Sequence, residues 1–163
     1  ATILADGLAG LLQSRLAVES HDALAERGVG SLANLTTAQI ETILRQDPRV
    51  SDPPVDWKAD SHYCLPLQGA ESLMQAGERV AAHVSQAMST LPADDRDRVK
   101  VFVGHGAAFR HAACHLGVLE SAQLRQLSMF HCRPVFIEYL QDGKWRLVAG
   151  DWKVRPGCSR FGD

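Results

Sequence analysis

Residues 99–119 constrain the fold of this chain more than any other stretch. VKVFV, residues 99–103, is a β-branched run of the kind that forms a buried strand. It ends in Gly104-His105-Gly106, and AAFRHAACHLGVL continues as a helix. A strand that hands a histidine to a helix in this way delivers the imidazole to the carboxyl edge of a sheet, where α/β folds place their ligands. Flanking glycines let the backbone turn sharply and let an anion come close. The amides of Gly106, Ala107 and Ala108 would be free donors at a helix N-terminus, suited to an anion. An imidazole beside them can stabilise charge on a transferring phosphoryl group. A packing histidine at a tight turn fits the same residues, and the junction alone does not choose.

The rest of the chain alternates helix and strand patterns, so α/β is the predicted class. Ile3, Leu4, Leu8, Leu11, Leu12 and Leu16 form a helical stripe across residues 2–16. A short extended piece at 17–19 and a glycine-rich turn at 28–30 follow. Thr36 with Gln39 is a capping-box pair opening a helix whose apolar side carries Ile40, Ile43 and Leu44. Residues 48–68 hold four prolines and no periodicity, and are predicted to be a long irregular excursion on the substrate side. Residues 71–91 form the clearest helix, with Leu73, Gly77, Val80, Val84 and Met88 on one face. PVFIEYL and KWRLVA flank Gln141-Asp142-Gly143, a strand–turn–strand signal. No repeat or linker divides the 163 residues, which read as one domain.

Net charge is -2, from 17 basic and 19 acidic side chains, without the basic excess of a nucleic-acid binder. No apolar run approaches the roughly 18 residues that span a bilayer, and the first residues lack the basic region of a signal peptide. The four cysteines form no CxxC pair, so reduced thiols in the cytoplasm are the expectation; a Cys132–Cys158 bridge is the alternative.

VFVGHGAAFRHAACHLGVL resembles the second-histidine segment of the histidine phosphatase superfamily, which includes phosphoglycerate mutases. Three more segments agree in order. ATILADGLAGLLQSRLAVESHDAL resembles the helix and short strand after the family's Arg-Ala-x-x-Thr-Ala stretch. LAERGVGSLANLTTAQI resembles its Leu-x-Glu-x-x-x-Gly segment, and GAESLMQAGERVAAHV its Glu-Ser-rich helix start.

The resemblance implies a three-layer α/β/α fold, with a mostly parallel sheet and helices on both faces. It implies that Glu26 gives a proton to the leaving alkoxide and that His105 contacts the phosphoryl oxygens. The amide of Gly106 or Ala107 would complete the pocket, and Arg27 is a weaker substrate-contact candidate. It implies no cofactor and no metal, and a small phosphorylated substrate. One part of the family pattern is missing. The nucleophile there is a histidine in an Arg-His-Gly motif on the first strand, and no Arg-His-Gly occurs in these residues. The implied first strand would come from a further segment, a second chain or a homodimer partner. The activity implied is a phosphomonoester phosphatase working through a phosphohistidine. The alternatives are a phosphate-binding module without turnover and a phosphoglycerate-type mutase, which usually carries longer insertions before the Glu-Ser helix.

Other signals compete. His111, Cys114 and His115 share a helix face and could begin a zinc site, with His62, Cys64, His131 or Cys132 as further ligands, although Ala112 stands where H-E-x-x-H has its Glu. Cys114 or Cys64 with a histidine could form a nucleophile pair. The tryptophans at 57, 145 and 152 are expected in the core or as loop anchors; Trp57 could instead line a substrate pocket.

Overall fold

The structure, a computed structural model, describes residues 1–92 and 97–156. Four α-helices occur among them: α1 (Thr2–Leu12), α2 (Thr37–Gln46), α3 (Leu73–Ser89) and α4 (Gly106–His115). The strands are β1 (Leu127–Ser128), β2 (Phe136–Tyr139), β3 (Trp145–Ala149) and β4 (Lys153–Val154). β2 pairs antiparallel with β3 around the predicted turn, with Ile137 opposite Leu147 and Tyr139 opposite Trp145. β1 pairs antiparallel with β4. The fold is α/β, as expected. The mostly parallel sheet is not seen among the described residues, where both ladders are antiparallel.

The helices begin where the sequence says they should. Gln39 N–H donates to Thr36 Oγ1 while Thr36 N–H donates to Gln39 Oε1, closing the capping box of α2. Ser72 and Gln75 make the same box for α3, at 3.1 and 2.7 Å. α1 ends at Leu12, four residues short of the apolar stripe's last member, with Gln13 after it in the left-handed region at φ 51°. α1 buries none of its residues, so its stripe packs on nothing among the described residues.

The expected buried strand at 99–103 is corrected. The segment has no ladder partner among the described residues, and Val99, Val101 and Val103 are 79%, 58% and 45% exposed. Only the opposite side is engaged: Phe102 packs on the core, and Lys100 donates to Ala87 O at 2.7 Å. The period-2 alternation of a strand therefore survives with one face covered.

Two apolar clusters hold the chain together. The first joins α3 to α4 through Ala76, Val80, Ala81, Val84, Ala108 and Ala112. Small residues let these helices approach closely. A methyl on Gly77 would collide with His111 Cβ and lie 2.6 and 2.8 Å from His111 C and Ala112 N. The second cluster, Ile40, Leu44, Trp57 and Leu65, anchors the irregular 48–68 stretch on α2. That stretch contains no helix or strand, as expected, yet Trp57 is among the most buried side chains and donates to Glu41 Oε1 at 3.1 Å. Trp57 is thus a core anchor. No helix among the described residues is long and apolar enough to cross a membrane.

Candidate functional site

α4 starts where the glycine-flanked histidine ends. His105 is its N-cap residue, extended at φ -102° and ψ 130°, and Phe109 N–H donates to His105 O at 3.0 Å. The amides of Gly106, Ala107 and Ala108 precede that first helical bond and have no acceptor within the helix. They carry the positive end of the helix dipole, beside the imidazole.

The glycines serve a purpose other than the sharp turn expected of them, because neither has a positive φ. A methyl on Gly104 would lie 2.8 Å from the Phe109 ring and 3.1 Å from Leu24 O, so Gly104 permits close approach of the 22–24 turn. That approach brings the two principal candidates together. Glu26 Oε2 lies 3.5 Å from His105 Nδ1, although the residues are far apart in sequence. Both side chains are open to solvent, His105 at 50% and Glu26 at 72%. An imidazole and a carboxyl group therefore meet at the N-terminus of α4, both open to solvent. Met129, just after β1, walls it on one side, 3.4 Å from where a Gly106 methyl would sit. β1 is tied to α4 by buried Arg110, whose Nη1 donates to Leu127 O at 2.8 Å. Burial, with Arg155 nearby, lowers the Arg110 pKa to about 10.

Arg27 does not join this group by any contact of its own. Its guanidinium stacks over the Trp57 ring, 5.3 Å from the centroid, and burial lowers its pKa. Its Nη1 is buried without a hydrogen-bond partner. Two residues outside the sequence-level candidates bear directly on the site. Arg79 and Glu71, an ion pair at 2.5 Å, reach the backbone on both sides of Glu26. Their only signal in the sequence is a charged pair eight residues apart at the start of α3.

The histidine phosphatase family model, branch 1, matches residues 3–152. The chain belongs to the histidine phosphatase superfamily. Its solved structural relatives in the superfamily fold include a mycobacterial hydrolase with a TM-score of 0.63, 24% identical over 91% of this chain and 69% of that one. A mycobacterial glucosyl-3-phosphoglycerate phosphatase, solved with inorganic phosphate, matches at a TM-score of 0.60 and 23% identity, covering 91% of this chain and 70% of its own. A second mycobacterial hydrolase matches at 0.62 and 23%, over 95% and 67%. No curated protein matches in sequence.

The competing sites find less support in this histidine phosphatase fold. His111 is buried, with Nδ1–H donating to Ala107 O at 2.7 Å and Nε2 accepting from Ser61 Oγ at 3.0 Å. His115 Nε2 donates to Met74 O at 3.0 Å. No group of three or more His, Cys, Asp or Glu able to hold a metal occurs among the described residues. Cys114 Sγ is paired with Ser121 Oγ at 3.6 Å, and no histidine bonds to it. Cys64, Cys114 and Cys132 are free thiols; Cys158 lies outside the described residues.

Proposed function

We propose that this chain carries part of the active site of a phosphomonoester phosphatase that works through a phosphohistidine. The observation that carries the proposal is the meeting of Glu26 and His105 at the N-terminus of α4. The nucleophilic histidine lies outside these 163 residues. Its nitrogen attacks phosphorus, the P–O bond to the substrate breaks, and Glu26 gives its proton to the departing alkoxide. His105 and the amides of Gly106 and Ala107 donate to the equatorial phosphoryl oxygens as charge builds there. Water then attacks the phosphohistidine, Glu26 takes the proton back, and inorganic phosphate leaves. No cofactor takes part.

The exposed valines of 99–103 support a first strand supplied from beyond these residues or by a partner, completing a three-layer sheet with helices on both faces. The 48–68 excursion borders the substrate side, pinned to α2 by buried Trp57, on which Arg27 stacks. The substrate is a small phosphorylated molecule. Free thiols at Cys64, Cys114 and Cys132 support a cytoplasmic setting.

The test is turnover of phosphomonoesters by the native polypeptide with acid-quench detection of phosphohistidine. His105→Ala and Glu26→Ala should each lower turnover by about 10²-fold or more. Unchanged turnover in both would remove the site assignment. The alternative reading is a phosphate-binding module without turnover. That module would bind inorganic phosphate, lose the binding on His105→Ala, and form no phosphohistidine. Transfer of the phosphoryl group to an added alcohol in place of water would instead mark a mutase.

A further inference from the structure

Glu26 sits on a turn that packing does not fix, since Ala25 and Glu26 are both exposed. A general acid held so loosely would spend little time in line with the leaving oxygen, and misplacement of even 1 Å is costly to rate. The backbone around it, however, converges on a single side chain. Arg79 Nη1 donates to Asp22 O at 3.1 Å, Ala23 O at 2.9 Å and Ala25 O at 3.3 Å. Its Nη2 donates to Ala25 O and Glu26 O, both at 3.4 Å. The same guanidinium is held from behind by Glu71, Nη2 to Oε1 at 2.5 Å and Nε to Oε2 at 3.3 Å. Glu71 Oε1 also accepts from Gly28 N–H at 2.9 Å, and Glu71 N–H donates to Gly28 O at 3.0 Å. The segment 22–28 is therefore gripped on both sides of Glu26 by one ion pair, anchored on and just before the well-packed α3.

We infer that Arg79, oriented by Glu71, is the positioning residue for Glu26. The inference rests on the proposed role of Glu26 as proton donor. Only a planar guanidinium presents donors in enough directions to bond several carbonyls and a carboxylate together; a lysine ammonium has three donors and cannot span both sides. Arg79 touches neither Glu26's carboxylate nor His105, so its effect passes through the backbone.

The experiment compares two substrates in the native polypeptide. A primary alkyl phosphate needs a proton delivered to its leaving oxygen; p-nitrophenyl phosphate releases a phenolate that does not. Arg79→Gln should lower kcat/KM for the alkyl ester about 30-fold or more and for the nitrophenyl ester less than about 3-fold, because kcat/KM reports the first transfer and not the phosphohistidine hydrolysis that both substrates share. Arg79→Lys should fall between, and Glu71→Gln, which keeps an acceptor for Gly28, should show a smaller split in the same sense. Glu26→Gln should show the full split, and adding Arg79→Gln to it should slow the alkyl ester no further. Equal slowing of both substrates in the Arg79 variants, or additivity in the double variant, overturns the inference while leaving Glu26 in place. Absence of the split in Glu26→Gln itself overturns the proton-donor reading and this inference with it.

Discussion

Acid should loosen this fold through one buried histidine before its carboxylates are titrated. His111 is fully buried on α4, and its pKa is lowered to about 4, first by desolvation and then by Arg110, His115 and Arg155. The Ala107 carbonyl raises it by a smaller amount and fixes the proton on Nδ1, leaving Nε2 to accept from Ser61. Protonating Nε2 would set two donors against each other unless the Ser61 hydroxyl turns. The unfolded chain binds this proton near pH 6.5 and the folded chain near 4. Between those values the unfolded state holds more protons, so stability falls as pH falls. The stabilisation is complete above about pH 6.5. Relative to pH 7, the loss reaches about 2 kcal/mol at pH 5 and about 3 kcal/mol at pH 4. His83, whose pKa burial, His21 and Lys100 also lower, acts in the same direction, so the wild type must be compared with a variant. Urea unfolding at pH 7, 6 and 5 checks the magnitude, since 2 kcal/mol moves the midpoint by about 1 M. His111→Gln should start less stable at pH 7 and lose much less on acidification. Parallel pH profiles for the two proteins would refute the reasoning.

Three further predictions concern stability. Gly77→Ala should cost about 2 kcal/mol or more, seen as a lower urea midpoint, because the new methyl meets the backbone of His111 and Ala112 and not a movable side-chain end. Ser72→Ala should cost about 1 kcal/mol by removing the α3 cap, read as a Tm lower by several degrees. Trp57→Ala should cost about 3–5 kcal/mol, while Trp57→Phe should cost less in the same melt, since it keeps a ring under Arg27 and loses the Glu41 bond.

Much of this was legible in the chain itself. Capping pairs and apolar periods are local, so α2, α3, α4 and the 136–149 hairpin lie where Thr36, Gln39, Leu73 and Gln141-Asp142-Gly143 place them. His105 and Glu26 were readable because the motifs around them resemble a family, and no spacing rule would have joined them. Two things were hidden for physical reasons. The valines of 99–103 look like a buried strand because β-branching reports compatibility with a sheet and says nothing about which neighbours cover it. Arg79 could not be picked out because it binds carbonyl oxygens, which every residue owns, so its partners leave no trace in side-chain identity. Trp57 in an irregular stretch was ambiguous for a related reason: an aromatic anchor and a pocket wall have the same composition.

α3 is a common datum for the site. Gly77 seats α4, and so His105, against one side of the helix; Arg79, two residues on and about 200° around it, grips the Glu26 segment from another. The gap between Glu26 and His105 is therefore gauged within a single turn of one helix, with two joints contributing error. The hairpin and the 48–68 excursion brace it from the flanks, Trp145 against the α3–α4 cluster and Ser61 bonded to His111 and Met74. Such a layout makes the spacing between Glu26 and His105 a property of α3 and its two joints, so that a shift at either joint passes directly into it.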